Sequence, residues 1–515
     1  MATVAPAESG GSVRIEPFDQ YNRQLVANVH PPGWVNPEPQ GRYHLVVIGA
    51  GTGGLVTASI AAGLGARVAL VERHLMGGDC LNVGCVPSKS VIAAARSWQG
   101  AADSSRMFGG RQIGGIGDFA EVMQRMRKLR AGISRVDGAP RFRDLGVDVF
   151  LGEGRFTGRD TAVVDGKVLR FRRAVIATGA RAAAPPIPGL ERTGYLTNET
   201  IFSLTELPRH LVVIGAGPIG CEMGQAFARF GATVTVIHQG SQILPREDAD
   251  AAQIVERAME RHGVRLLHQT RAVRAEMRQG QRVIVVERDG RAEEVAGDQV
   301  LVAVGRAPNV EGLGLEAAGV KYTRRGVTVD DRLRTSNRRI FAVGDICSAY
   351  QFTHSADAQA RLVIGNALFF GLGGGRASGL VMPWTTYTTP EIAHVGMYER
   401  DAVEAGLRVH TLTVPLHEVD RAVLDGQDEG FLRVHLRKGS DRILGATLVA
   451  EHAGDMVGEI ALAMTCRLGL AKIGATIHPY PTQSEVFRKA ADALRRTRLT
   501  PAAKRVFGWF FQLFR

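Results

Sequence analysis

The strongest pattern along the chain is a short run of consecutive apolar residues that stops at a glycine, and it occurs twice. Leu45-Val46-Val47-Ile48-Gly49-Ala50-Gly51 recurs without change as Leu211-Val212-Val213-Ile214-Gly215-Ala216-Gly217. Four apolar residues in a row, bounded by a turn signal, predict a strand buried on both faces, as in a parallel sheet. Each run leads into a glycine turn and then a helical pattern. A second β-run follows at the same offset in each copy and ends at Glu72 and at His238, the latter after Val234-Thr235-Val236-Ile237. Near the start, Tyr21, Leu25, Val26, Val29 and Trp34 punctuate the stretch from Arg14 to Pro39, which predicts an arm lying on a folded body; Ala2 to Ser12 reads as disordered. Near the end, Phe507, Phe510, Phe511 and Phe514 recur at i, i+3, i+4, i+7 within Ala502 to Arg515. That spacing predicts a short helix with a narrow polar stripe of Arg505, Gly508, Gln512 and Arg515. No run of 18 apolar residues occurs, and residues 1–41 lack the continuous apolar core of a secretory signal.

The glycines give the twin pattern a chemistry. The first copy supplies Gly49, Gly51 and Gly54, the second Gly215, Gly217 and Gly220. The first glycine of each set permits a tight turn, the second lets backbone approach a pyrophosphate, and the third lets helix pack on strand. The helix N-terminus then holds the phosphates. Glu72 is suited to bond a ribose 2′-hydroxyl. His238 is not an acid, so nothing there repels a 2′-phosphate, and Arg246 is close in sequence; a bland surface residue at a strand end is the competing reading. One such fingerprint is weak evidence, whereas two in strand–turn–helix context are strong.

Shortly after the first fingerprint comes Gly77-Gly78-Asp79-Cys80-Leu81-Asn82-Val83-Gly84-Cys85-Val86-Pro87-Ser88-Lys89. Two cysteines with four residues between them, at the mouth of a helix, can open and close a disulfide, and a helix N-terminus favours the thiolate. Five cysteines in 515 residues are too few for an extracellular disulfide framework and fit a reducing cytoplasm. Cys221, Cys347 and Cys466 lie in apolar stretches and are expected to be buried and inert.

The length calls for about three compact units. The formal charge is +12, and Arg488 to Arg515 alone carries eight Lys/Arg against one Asp. A charge concentrated in one tail argues against a nucleic-acid-binding body and for a local role of the tail.

The Cys80–Cys85 segment and the twin fingerprints resemble the pyridine nucleotide–disulfide oxidoreductases, which include dihydrolipoamide dehydrogenase, glutathione reductase and mercuric reductase. The resemblance spans residues of about 43 to 490. It implies an α/β chain of two Rossmann-like dinucleotide-binding domains, the NAD(P) domain inserted in the FAD domain, plus a C-terminal α+β dimerisation domain. The expected order is an N-terminal arm over 1–41, FAD-binding sequence over 42–190 and again over 305–380, and the NAD(P) unit over 191–304. The dimerisation domain would cover 381–494, opening near Tyr387-Thr388-Thr389-Pro390-Glu391, and a basic amphipathic tail 495–515. Gly371 to Gly375 reads as a linker.

By the same resemblance Glu72 meets the adenosine end of FAD and Asp345 bonds its ribitol chain. Thr178-Gly179 and Gly305 lie in the crossings between the FAD and NAD(P) domains. NAD(P)H gives hydride to the flavin, which passes electrons to Cys80–Cys85. Cys85 would be the flavin-proximal thiolate and Cys80 the exchange thiol. Lys89 would pair with Glu222 near the reactive flavin nitrogen. The family forms homodimers in which the Glu485 segment completes the other subunit's site. NADPH is expected over NADH.

Two features depart from the disulfide-reducing branches, and a third departs from mercuric reductase. Asp79 stands where many relatives have Thr, and its charge would raise the pKa of a nearby Cys80 thiol. Residues 478–485 read His-Pro-Tyr-Pro-Thr-Gln-Ser-Glu, so Tyr480 replaces the His that shuttles protons, with Glu485 retained. Phenol titrates near about pH 10 and is a poor base at neutrality. Tyr480 can instead donate a hydrogen bond or, with Cys80 and Cys85, hold a substrate metal transiently; mercuric reductases also carry tyrosine there. His478 reads as structural. The mercuric-reductase match lacks that family's terminal cysteine pair, since no cysteine follows Cys466. The expectation is a mercuric-reductase-like cytoplasmic enzyme passing electrons to a metal ion or a small acceptor. A dihydrolipoamide dehydrogenase is the alternative enzyme. A docked flavoprotein sensing metal through Cys80 and Cys85 is the non-enzymatic one. The basic aromatic tail over 499–515 suits either a membrane surface or the partner subunit.

Overall fold

The computed structural model describes residues 13–110, 117–369, 372 and 374–514. The Ala2–Ser12 segment and part of the Gly371–Gly375 linker therefore lie outside the described residues. The chain separates into two units, one of residues 1–103, 111–241 and 263–380, the other of 104–110, 242–262 and 381–515.

In the first unit, helix α1 (Gln20–Val29) belongs to the arm, and its Leu25 and Val29 are fully buried. Then follow β1 (Arg42–Ile48), α2 (Thr52–Gly63), β2 (Val68–Glu72), α3 (Gly78–Asn82), α4 (Cys85–Phe108), α5 (Phe119–Ile133), β3 (Val147–Leu151), β4 (Gly154–Gly158), β5 (Thr161–Val164) and β6 (Lys167–Ile176). The sheet order is β3-β2-β1-β6-β5-β4. Its parallel core pairs Leu45 with Val68 and Ile48 with Ile176. Leu45 to Ile48 are buried on both faces, as a continuous apolar run in a parallel sheet must be. The second copy forms β7 (His210–Ile214), α6 (Pro218–Arg229), β8 (Thr233–Ile237), β9 (Val264–Leu267) and β10 (Gln299–Val302), a parallel sheet in the order β9-β8-β7-β10. The chain then returns to the first sheet: β11 (Ile340–Ala342) pairs with β6, and α7 (Thr353–Leu368) follows. The crossings around Thr178 and Gly305 pair with each other, Ala180 opposite Pro308 and Ala182 opposite Arg306.

The second unit holds an antiparallel sheet of β12 (Pro383–Thr386), β13 (Glu391–Gly396), β14 (Val409–Pro415), β15 (Phe431–Arg437) and β16 (Ile443–Ala450), in the order β12-β13-β16-β15-β14. Helix α8 (Glu485–Arg498) packs Val486, Phe487, Ala490 and Leu494 into its core. Helix α9 (Pro501–Gln512) buries no residue at all. Among the described residues no helix is long and apolar enough to cross a membrane.

Candidate functional site

The first glycine turn is built around backbone contact. Gly49 has φ +102°, and a Cβ there would come within 2.3 Å of the Ala177 carbonyl oxygen. The N-terminus of α2 at Gly51 has no side-chain cap, so its amides stay available to an anion. The Glu72 carboxylate accepts from the Ala50 N–H at 2.7 Å and the His74 N–H at 2.8 Å. It thereby ties the turn to the end of β2. Burial raises the Glu72 pKa, and those amides oppose the shift. The redox loop lies against this turn: a Cβ on Gly78, φ +58°, would meet the Cα of Gly51 at 2.6 Å.

Cys80 lies in α3 and Cys85 is the first residue of α4; both are free thiols. The hydrogen bond between them raises the pKa of Cys80 and lowers that of Cys85 to about 6. Burial raises both. The Thr353 hydroxyl, at the start of α7, lies 3.3 Å from the Cys85 sulfur and favours its anion. Lys89 adds its charge one turn along α4, held by Glu222 Oε2 at 2.8 Å. A negative Cys85 and a protonated Cys80 are the state this arrangement supports.

The Asp79 expectation needs correction. Its carboxylate is bound by Arg306, which also lies 3.4 Å from Asp345, so Asp79 is committed to an ion pair. The carboxylate that does raise the Cys80 pKa is Asp137, at the end of the turn after α5. Asp345 is itself pushed up by burial and pulled back by Arg306. Thr178 and Asn309 stitch the two crossings together: the Thr178 hydroxyl donates to the Asn309 carbonyl at 3.0 Å, and the Asn309 amide donates to the Thr178 carbonyl at 2.8 Å.

In the second copy Gly215 has φ +112°, and Gly217 caps α6, again without a side-chain hydrogen bond. His238 is no surface residue. It is 8% exposed, and its Nε2 lies 2.9 Å from His268 Nδ1. Burial, then His268, pushes its pKa down to about 4. It is an uncharged imidazole at neutral pH.

In the other unit, Tyr480 is exposed and donates its hydroxyl to Asp420 at 2.9 Å, which raises its pKa. Glu485 is buried, bound by Arg488 and 4.0 Å from Lys489. Tyr480 and Glu485 are thus engaged separately. His478 sits between the Thr476 carbonyl and Glu459, 3.0 Å away. Cys221 is buried as expected, but Cys347 is half-buried and Cys466 is exposed, because it follows the end of a surface helix. Nothing in the sequence marks Thr353, since a contact 268 residues away leaves no local spacing. Arg306 was visible only as part of a crossing motif.

Two nucleotide-binding turns and a thiol pair with split acidities define a nucleotide-linked dithiol–disulfide oxidoreductase. Comparison with known proteins places it more closely. Residues 43–360 match the pyridine nucleotide-disulphide oxidoreductase family and residues 382–491 that family's dimerisation domain. The chain belongs to this family. It is 33% identical to a mercuric reductase of Staphylococcus aureus, over 88% of this chain and 82% of that protein. It is 34% identical to a dihydrolipoyl dehydrogenase of Geobacillus stearothermophilus, over 87% and 95% respectively. The Cu(II) complex of the HOCl-induced flavoprotein disulfide reductase RclA from Escherichia coli superposes with a TM-score of 0.77 at 29% identity, covering 86% of this chain and 98% of that one. The chain is therefore an FAD-dependent, NAD(P)H-linked enzyme. Its residues fit both cofactors: two uncapped helix N-termini, and turn glycines whose close contacts exclude a side chain.

Proposed function

We propose that this enzyme reduces a thiol-reactive metal ion, or a small acceptor of similar softness, at Cys80 and Cys85. The observation that carries this reading is Tyr480. Where a proton-shuttling His would serve disulfide interchange, the chain has an exposed phenol that donates a hydrogen bond to Asp420 and keeps its proton. The solved relative described as a Cu(II) complex and the mercuric reductase relatives support a metal acceptor.

Gly49, Gly51, Gly54, Glu72, Thr178, Gly179, Lys89 and Asp345 would hold FAD, which when bound supplies two-electron transfer between nicotinamide and thiols. Gly215, Gly217, Gly220, His238 and Gly305 would hold the nicotinamide nucleotide. NADPH is preferred, because no acid stands at His238 to repel its phosphate. In balance, NADPH, a proton and the Cys80–Cys85 disulfide give NADP+ and the dithiol. The dithiol then closes again, giving two electrons to one Hg(II) or to two Cu(II) and releasing two protons. Cys85, with Thr353 and Lys89 beside it, holds the negative charge, and Cys80 meets the substrate. A homodimer follows from the dimerisation domain, with the Tyr480–Glu485 segment of each subunit completing the other's site. The tail adds peripheral membrane contact: α9 exposes Phe507, Trp509, Phe510 and Phe511, and no acid follows Asp492. Salt-sensitive binding to anionic vesicles, lost on deleting 499–515, is the expected result.

The deciding experiment is NADPH consumption with thiol-complexed Hg(II), Cu(II), lipoamide and oxidised glutathione, with Cys80→Ala as control. Turnover with metals only, abolished in the variant, is expected. Turnover with lipoamide would move the enzyme to the dihydrolipoyl dehydrogenase branch, to which it is equally similar in sequence.

A further inference from the structure

The family match begins at residue 43, so the arm lies outside it. Yet the arm touches the segment that leads into the redox loop at two places and is linked to the loop itself at a third. The Val29 carbonyl accepts the Met76 N–H at 3.2 Å. His30 contacts the His74 carbonyl through its ring. The third link runs through a buried cation: Arg130 of α5 donates from Nη1 to the Asn82 carbonyl at 2.6 Å and from Nη2 to Asn22 Oδ1 of α1 at 2.7 Å. Asn82 lies between Cys80 and Cys85 in sequence.

Each end of this link is itself fixed. Asn82 donates through its amide to Met76 and Gly78 carbonyls, at 3.1 and 2.9 Å, so the loop moves with it. Asn22 takes its place by donating to Asp19 and to the Pro17 carbonyl, at 2.9 and 2.8 Å, and Asp19 is anchored by Arg127 at 2.5 Å. Arg130 is 3% exposed. A guanidinium buried that far is costly unless its donors are used; the Arg130 Nε has no partner among the described residues, so the two oxygens on Nη1 and Nη2 carry its compensation and fix its position. Asn22 has no exposed surface and no other use in the mechanism.

We propose that Arg130, keyed by Asn22 of the N-terminal arm, is a positioning residue for the redox pair: it holds the Asn82 carbonyl and thereby keeps the Cys80 and Cys85 sulfurs at contact. Two thiols held at contact close into a disulfide at little further entropic cost, because the loop is already ordered. Releasing the loop lowers their effective concentration and leaves the dithiol favoured. This holds whatever the final electron acceptor is.

The test is the exchange equilibrium of the holoenzyme with dithiothreitol, in which disulfide plus dithiothreitol gives dithiol plus its oxidised ring. Acid quenching, alkylation and mass spectrometry count Cys80 and Cys85 thiols. Asn22→Ala is expected to shift the equilibrium toward dithiol by about tenfold, in line with the effective-concentration loss of a loosened loop. Asn22→Asp, which keeps an oxygen for Arg130, should restore it, and Arg130→Met should shift it further. An unchanged equilibrium in a folded, flavin-loaded Asn22→Ala protein would overturn the proposal. So would loss of folding in both Asn22 variants, which would assign the residue to stability alone. Failure of every metal acceptor in the turnover assay would not bear on this measurement.

Discussion

The two glycine turns start from the same seven residues and end in different electrostatics. In both, the first glycine sits at positive φ, 102° and 112°, under a crossing strand: a Cβ would lie 2.3 Å from the Ala177 oxygen in one and 2.4 Å from the Ala303 oxygen in the other. In both, the following helix starts at an uncapped glycine. The copies diverge where the second strand ends. Glu72 spends its carboxylate on the backbone of its own turn, whereas His238 is a neutral ring paired with His268. The repeated heptapeptide thus specifies a backbone shape, and the residue at the end of the next strand, Glu72 in β2 or His238 just after β8, specifies what charge that shape offers a ribose.

Both turns are most vulnerable at their first glycines. Gly49→Ala and Gly215→Ala each force a side chain against a backbone carbonyl at a φ that L-residues avoid, a penalty on the order of 3 kcal/mol or more. Gly49→Ala should purify without flavin absorbance. Gly215→Ala should keep its flavin and lose reduction by NADPH under anaerobic conditions. If Gly215→Ala also loses flavin, the turns are not independent binding devices.

A smaller effect sharpens the divergence. His238→Glu should place an acid where the first copy has one and turn preference from NADPH toward NADH by about tenfold, or 1.4 kcal/mol. The ratio of kcat/KM for the two nucleotides measures it. An unchanged ratio would mean that another residue reads the 2′-position.

Where pattern was local, the sequence carried it. Both strand–turn–helix units, the short helix at the tail and the thiol pair at a helix start follow from residues adjacent in the chain. What was not legible depends on distant partners. Asp79 looks like a free charge beside Cys80 until Arg306, 227 residues later, is seen to hold it. His238 looks exposed at a strand end until His268, the residue just after β9, covers it. The arm's apolar residues announced docking, but the polar link from Asn22 to Asn82 needs an arginine from a third segment. Asp79→Thr should accordingly leave the alkylation-versus-pH profile of Cys80 unaltered, whereas Asp137→Asn should shift it to lower pH.

The mildest test uses pH, because the two strand-end residues titrate with opposite sign. His238 has a folded pKa near 4, below the ordinary 6.5. The unfolded chain then binds the extra proton between those values, so stability from the neutral ring is full above about pH 6.5 and falls as pH drops toward 4. Glu72 is raised instead. Its contribution is full below the unfolded carboxyl value and is lost as pH rises through the folded one. Acidification from pH 7 to 4.5 should therefore weaken the protein through His238 and relieve it through Glu72. Allowing for partial solvation of the ring, the His238 part is about 1–2 kcal/mol. Urea unfolding of the holoenzyme reads it: His238→Asn should flatten the acid-side loss of midpoint, and Glu72→Gln should steepen it. Equal slopes in both variants would mean that neither strand-end residue governs the acid response, and that the two turns differ in shape rather than in charge.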